Sequence, residues 1–318
     1  MGPVLWRYTL PLTAPLSLAG GLRLPARQGL VLAETDDDGQ IRAAAEAAPL
    51  PGFSQESVDD AADMLLSALS DSGDWPATAE HPSLQWALAC LHDGTLHRAT
   101  GAACDKVPGR NTNAVGIRTA GYGRSSDTTV TKIKLGPDPL TNAERVKAAL
   151  AGGARLRLDA NRQLSHRDAL SLLAALPRQQ VDGVEEPCPT LRDSLWVCRR
   201  AGLPLWLDET TREHTPAGLL EALGALKSGP EAVGAVVLKP MLLGDKLNVW
   251  LDAARAHGWR VIISSTYESP LGLAALQRLA GQVAPEDVHG LDTGHLFEAG
   301  HWAWPPVPGA VWQRLWPA

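Results

Sequence analysis

The chain has 318 residues, 45% of them hydrophobic and 20% charged, with 30 Gly and 24 Pro, an ordinary soluble globular composition. That length suffices for one large domain plus a smaller one. Its 29 basic and 35 acidic residues give a net charge of −6 without any basic block, which argues against a nucleic-acid partner. No apolar run reaches the roughly 18 residues of a spanning helix, so no membrane partner is expected either.

In chain order, Val4–Leu10 reads as a strand and Leu16–Pro25 as a loop rich in Leu, Gly and Ala. The first twelve residues lack a basic start, an apolar stretch and a small-residue cleavage site, so a cytoplasmic location is expected. Gly29–Thr35 and Ile41–Glu46 flank Asp36-Asp37-Asp38-Gly39, a hairpin pattern. Glu46–Gly52 follows as a stiff loop, because Pro49 and Pro51 fix φ. Two helices come next, one capped at Ser57 and the other with Pro82 in its first turn. Strands before helices suggest a small α+β unit.

From residue 112 onward short apolar runs alternate with amphipathic helical patterns. The runs are Thr129–Leu135, Arg155–Leu158, Val181–Val184, Leu203–Leu207, Ala232–Leu238 and Trp259–Ile263. Thr141-x-x-Glu144 has the form of a capping box, and Ser165 suits the N-cap of a helix that Pro177 stops. Thr215-Pro216 and Ser269-Pro270 pair an N-cap with a first-turn proline, and Gly202 and Gly258 stand where C-terminal glycines belong. Repeated βα units mean a parallel sheet covered by helices. The glycine-rich phosphate fingerprints of open-sheet folds are missing, which favours a closed barrel.

Charged and polar residues stand at the C-terminal end of each run: Lys132-Ile133-Lys134, Asp159-Ala160-Asn161, Glu185-Glu186-Pro187, Asp208-Glu209-Thr210, Lys239-Pro240 and Ser264-Ser265. They recur at roughly 25-residue intervals, one βα unit apart, so in a barrel they converge on the face where such enzymes keep their active sites. Three consecutive strands then deliver carboxylates to one point, which calls for a cation. Oxygen ligands without His or Cys favour a hard ion such as Mg²⁺ over zinc. A lysine beside other cations, a metal and apolar walls has its pKa lowered and can act as a base near neutral pH. Metal plus opposed lysines suits removal of a proton α to a carboxylate.

The ordered set Lys-x-Lys, Asp-Ala-Asn, Glu-Glu-Pro, Asp-Glu-Thr and Leu-Lys-Pro resembles the muconate-lactonizing branch of the enolase superfamily. That superfamily is itself a standing example of a lysine or histidine base working beside Mg²⁺. Within the branch, Leu158–Arg162, Glu185–Cys188, Lys239-Pro240, Ser264–Leu273 and Gly290–Thr293 are most similar to the o-succinylbenzoate synthases. The resemblance covers nearly the whole chain. It implies an α/β fold, a (β/α)7β-type modified TIM barrel with an N-terminal α+β capping domain. The cap would span residues 1–105 and the barrel 106–295, with residues 296–318 packing back on the cap.

By position, the resemblance implies Asp159, Glu185 and Asp208 as Mg²⁺ ligands, with Mn²⁺ able to substitute. Lys134 would be the base and Lys239 a cation across the substrate. Lys132 would depress the pKa of Lys134 and touch the substrate carboxylate. Ser264, Ser265 and Gly290 would hold a succinyl tail, and Asn161 would support the metal site from its edge. The implied reaction is dehydration of a succinyl-bearing cyclohexadiene carboxylate to 2-succinylbenzoate, a menaquinone precursor. Leu16–Leu24 and Pro49–Ser54 would form lids. An N-acylamino acid racemase or dipeptide epimerase would use the same lysines, and the catalytic residues do not discriminate. Monomer and homo-oligomer both remain open.

Other residues take plainer readings. By strand alternation Glu186 and Glu209 should point away from the ligands, into salt bridges or support. Arg157 shares the alternation of Asp159 and should face the barrel interior. His166, His257 and His295 read as surface or satisfied core residues, and Trp302, Trp304, Trp312 and Trp316 as packing of the returning tail. Cys90, Cys104, Cys188 and Cys198 form no metal-like cluster and read as reduced thiols.

Overall fold

Apolar side chains on the first strands build an antiparallel sheet in a computed structural model that describes residues 2–18, 21–92, 118–119, 121–122, 130–153, 155–306, 308–309 and 311–317. Cys104, Thr129 and the expected boundary at 105/106 lie outside these residues. The sheet holds β1 (Gly2–Ser17), β2 (Arg23–Thr35) and β3 (Ile41–Ala47), and the last strand of the chain, Trp312–Trp316, pairs antiparallel with β1. In the β2–β3 turn the Asp36 carboxylate accepts from the Asp38 and Gln40 amides at 3.1 and 2.8 Å, while Gly39 supplies a φ of 75°.

Leu16–Pro25 is not a loop. Leu16 and Ser17 pair with Leu24 and Arg23, and the Leu18 amide donates to the Leu22 carbonyl at 2.8 Å; residues 19 and 20 lie outside the described set. The ladder is irregular between Pro11 and Leu16, where Pro15 and Pro25 have no N–H to give.

Helices α1 (Val58–Ser72) and α2 (Pro82–His92) cover this sheet. Ser57 accepts from the Asp60 amide and Asp60 accepts from that of Ser57, satisfying two orphan donors of α1. Leu65, Leu69 and Leu84 are buried in one core with Leu5, Leu30 and Leu32, each such side chain stabilising by about 1.5–3 kcal/mol relative to exposure.

The remainder runs β4 (Arg118–Thr119), β5 (Gly121–Tyr122), β6 (Val130–Lys134), α3 (Pro139–Ala151), β7 (Arg155–Asp159), α4 (His166–Ala174), β8 (Val181–Glu185) and α5 (Leu191–Ala201). It continues with β9 (Leu205–Leu207), α6 (Glu209–Glu213), α7 (Pro216–Ala225), β10 (Val233–Leu238), α8 (Pro240–Leu243) and α9 (Lys246–His257). Then come β11 (Arg260–Ile263), α10 (Pro270–Val283), β12 (Val288–His289) and β13 (Trp312–Trp316). Strands β5 to β11 form one parallel sheet in chain order. Its ends meet because β12 bridges β11 through Ser264 and Gly290 and also pairs with β4, one residue before β5. The chain is therefore an α/β barrel carrying an antiparallel N-terminal sheet.

Ser165, Thr215 and Ser269 cap their helices, and Gly202 and Gly258 end theirs at φ 67° and 68°. The Thr141 capping box does not form. Asp138 is the cap, accepting from the Thr141 amide at 2.9 Å, because Pro139 fits the first helical position and starts α3 earlier.

Inside the barrel, Trp206 packs with Ala235, Val237 and Ile262. Its ring occupies the space beside Gly183, where a Cβ would come within 2.1 Å of it. A bulge between β7 and β8 skips Asp182 in the register, and Asp182 forms ion pairs with buried Arg157 at 2.9 Å and with Arg260 at 3.2 Å. Arg157 also lies 4.4 Å over Trp206 and donates to the Val288 carbonyl at 2.7 Å. This cluster is the floor of the barrel.

Candidate active site

At the other end of the barrel, strand register does the assembling. Lys134 pairs with Asp159 and Asp159 with Glu185, one strand to the next, and Lys132 pairs with Arg157 one layer lower. Asp208 follows β9 two residues after Trp206, and Lys239 follows β10. Lys132, Lys134, Asp159, Asp208, Lys239, Ser264 and Ser265 all line one cavity of about 610 Å³. Ser17, Leu18, Leu50, Gly52 and Phe53 line it from the N-terminal side, so both expected lid segments border it. Glu185 lies deeper and Gly290 behind Ser264.

The electrostatics are tight. Lys132 Nζ lies 2.7 Å from Glu185 Oε2 and 3.0 Å from Asp159 Oδ2, all three side chains buried. Lys239 Nζ binds both carboxylate oxygens of Asp208. Burial pushes the Asp159 carboxyl up, but the ammonium groups of Lys132, Lys134 and Lys239 prevail and hold it below the usual range. Burial raises Glu185, with Asp159 and Asp208 adding to the rise against Lys132. Lys239 is expected to stand as a cation, and two opposed effects act on it. Burial lowers it, yet the Asp208 carboxylate outweighs that and holds the group above its ordinary range, as a cation.

Among the described residues no three acidic, imidazole or thiol groups are drawn together as a ready cage, because the lysines sit against the carboxylates. The donor set nonetheless fits Mg²⁺. Asp159, Glu185 and Asp208 are buried carboxylates on adjacent strands, all-oxygen donors whose packed charge a divalent ion would offset.

The supporting residues were only partly foreseen. Glu186, at a φ of 26°, pairs with Arg162 and accepts from the Asp208 and Thr210 amides, each at 2.8 Å, so it fixes the turn that carries Asp208. Glu209 does not point away. It begins α6, where strand alternation no longer applies, and lines the cavity within 3.3 Å of the Asn161 amide nitrogen. Asn161 also donates its backbone N–H to Asp159 Oδ1 at 3.0 Å. The Ser265 hydroxyl is engaged with Glu268 at 2.7 Å, Thr293 at 2.8 Å and the Tyr267 amide at 2.8 Å, which makes it a turn residue. Gly290 is required by Ser264, whose Oγ would lie 2.9 Å from any Cβ there.

A seam that sequence reasoning missed joins the sheet to the barrel. Arg27, 1% exposed, donates to the carbonyls of Ala48 and Pro49 at 2.8 and 2.9 Å and of Thr266 and Tyr267 at 3.3 and 3.1 Å. Glu46 accepts from Tyr8 and from the Ser269 amide and hydroxyl. Tyr267 is thereby held at a φ of 65° on the cavity wall. Glu46, a lone charge within an alanine run, was the available signal; Arg27 had none.

Outside the site, Arg157 faces the interior but on the floor, and the tail tryptophans pack on one another and on Tyr8. His166 pairs with Asp193 at 3.2 Å, and His257 stacks near Trp259. Cys90, Cys188 and Cys198 take part in no disulfide among the described residues, and burial pushes the Cys188 thiol up to about 11, against any nucleophilic role. No helix among the described residues is long and apolar enough to cross a membrane.

A barrel with carboxylates and lysines at these strand ends defines a class, and comparison with known proteins agrees. The family described as Enolase C-terminal domain-like matches residues 118–308, and that described as MenC, N-terminal domain, matches residues 3–93. The o-succinylbenzoate synthase of Escherichia coli O81 is 31% identical over 329 residues, covering 95% of each chain. That of Salmonella arizonae is 32% identical, covering 92% of this chain and 91% of its own. Among solved structures, the o-succinylbenzoate synthase of Thermosynechococcus elongatus BP-1, complexed with Mg in its active site, superposes with a TM-score of 0.65 at 21% identity over 91% of this chain and 92% of that one. The L-Ala-D/L-Glu epimerase of Bacillus subtilis superposes at 0.69 with 17% identity over 94% and 91%, a likeness of fold alone. The chain belongs to the enolase superfamily, within its o-succinylbenzoate synthase family. It is an enzyme, and its family places it among the lyases.

Proposed function

We propose that this enzyme is an o-succinylbenzoate synthase, which dehydrates 2-succinyl-6-hydroxy-2,4-cyclohexadiene-1-carboxylate to 2-succinylbenzoate. The observation that carries the reading is the pair Lys134 and Lys239 flanking Asp159, Glu185 and Asp208 on one cavity, in a chain whose full-length relatives bear that name.

Asp159, Glu185 and Asp208 would hold Mg²⁺, with Mn²⁺ able to substitute, and the ion would supply positive charge against the substrate carboxylate as electrons move onto it. Lys134 Nζ takes the proton from the carbon α to that carboxylate, and the C–H electrons pass into the carboxylate. Lys239, held as an ammonium ion, faces this negative charge from the other side. As the electrons return, the C–O bond breaks on the same face, and the ammonium of Lys134 returns its proton to the leaving hydroxyl. Water departs, Lys134 is again neutral, and aromatisation drives the step. Lys132, tied to Glu185 and Asp159, holds the acids apart and contacts the carboxylate. Ser264 faces the tail, with Ser265 and Gly290 shaping the wall behind it.

The same reading takes residues 1–105 as a cap, 106–295 as the catalytic barrel and 296–318 as a segment returned to the cap, supported by the β13–β1 pairing. A cytoplasmic place in menaquinone synthesis goes with it, supported by Cys90, Cys188 and Cys198, which form no disulfide among the described residues. The lysines on two sides also suit 1,1-proton transfer, so an N-acylamino acid racemase or dipeptide epimerase is the second reading.

A steady-state assay with Mg²⁺, following the cyclohexadiene by absorbance, separates the two. The synthase reading expects kcat/KM of at least roughly 10⁴ M⁻¹s⁻¹. Negligible conversion with exchange of the α-proton of N-acylamino acids would transfer the enzyme to the racemase reading.

A further inference from the structure

The cations around the cavity are not equally committed. Lys132 is bound to Glu185 and Asp159, and Lys239 to Asp208. Arg145 reaches the Lys134 carbonyl at 3.3 Å. Arg212, on α6 four residues past Asp208, is different. Among the described residues it pairs with no carboxylate, and its buried Nε has no hydrogen-bond partner, although it lines the cavity. Its guanidinium lies 5.4 Å from the centre of the Phe53 ring, which comes from the Pro49–Ser54 segment. A half-buried guanidinium with an unsatisfied N–H is costly to keep. Stacking on an aromatic face leaves the planar edge of an arginine free for the two oxygens of a carboxylate.

The chemistry of the ligand supplies the other half. On the function proposed above, on which this inference rests, the substrate carries two carboxylates. One belongs at the Lys134 and Lys239 end, where proton transfer takes place. The other ends the succinyl chain and needs its own cation. We infer that Arg212, braced by Phe53, binds the terminal carboxylate of the succinyl chain and selects dicarboxylate substrates. Because Phe53 belongs to the N-terminal side of the cavity, that carboxylate would also tie the Pro49–Ser54 segment to the barrel.

The test is a comparison of two ligands on the Mg²⁺-loaded enzyme by titration calorimetry. The ligands are 2-succinylbenzoate and 2-butanoylbenzoate, in which a methyl group replaces the terminal carboxylate. Arg212→Met should weaken 2-succinylbenzoate by roughly 10- to 100-fold, the range of one charge-assisted contact, and leave 2-butanoylbenzoate within about threefold. Arg212→Lys, which keeps the charge and guards against a folding defect, should fall between. Turnover should show the loss mainly in KM. Equal losses for both ligands would reduce Arg212 to a packing role and overturn the inference. So would no loss for either, or the selective loss appearing at Arg145→Met instead. Binding is read independently of catalysis: a wild type that shows the selective binding yet no dehydration would overturn the function while upholding the subsite.

Discussion

The barrel holds two clusters of buried charge a few residues apart on the same strands, and they behave as opposites. On the floor, Asp182 is matched by Arg157, Arg260 and the more exposed Arg155, Arg260 also by Asp287 at 2.7 Å, and Trp206 lies beneath the guanidinium groups of Arg157 and Arg260. At the mouth, Asp159, Glu185, Asp208 and Glu209 crowd around Lys132, Lys134 and Lys239 and open onto a cavity of about 610 Å³. Charge that is closed off and paired is structural. Charge of one sign left in excess beside a cavity is disposed to bind and react.

The sharpest way to break this contrast is at the lysines. Lys134→Ala and Lys239→Ala should each lower kcat/KM for dehydration by roughly 10³-fold or more, with unchanged circular dichroism. Near-normal turnover in either would remove the assigned chemistry from the mouth. Next comes the acidic trio. Excess chelator should abolish turnover and added Mg²⁺ or Mn²⁺ restore it, and Asp208→Asn should need far more metal for the same rate. Full activity in chelator would detach the carboxylates from any metal role.

How much of this was legible beforehand follows from the geometry of strands. A parallel barrel brings strand ends to one face, so Lys134, Asp159, Asp208 and Lys239 could be placed together from spacing alone. What alternation could not reach was anything set by a turn or a bulge. Glu209 enters the cavity because the chain has become α6. Asp182 reaches the interior because a bulge displaces it. Arg27 binds four carbonyls from two distant loops, a role that no local pattern encodes. Leu16–Pro25 misled because Gly20, Gly21 and Pro25 suppress the strand signal, although Leu16 and Ser17 pair with Leu24 and Arg23.

The floor should respond in stability and spare chemistry. Asp182→Ala leaves Arg157 unpaired in the interior and should destabilise by roughly 3 kcal/mol in urea melts, while kcat of the folded fraction stays within a few-fold. A large loss of kcat with unchanged stability would erase the distinction between the two clusters.

The smallest effect lies in pH. His289 accepts from the Ile263 amide at Nδ1, 3.1 Å away, and donates from Nε2 to the Ala284 carbonyl at 3.0 Å, so it is neutral as folded. Burial, aided by Arg157 and Arg260 and opposed by the Ala284 bond and Asp287, lowers its pKa. Stability from this group is therefore complete above the unfolded value of about 6.5 and is lost as pH falls below it toward the lower folded pKa. His289→Asn, which keeps an acceptor near Nδ1, should flatten stability in that window. An identical slope in the variant would assign the pH dependence elsewhere.

The claim that the mouth removes a carbon-bound proton is tested most directly by single-turnover dehydration of substrate deuterated at the α-carbon, with Mg²⁺ present. The account predicts markedly slower conversion of the deuterated compound and none of either compound by Lys134→Ala within the same time. Equal rates for the two isotopologues, with Lys134→Ala turning over as fast as the wild type, would contradict it.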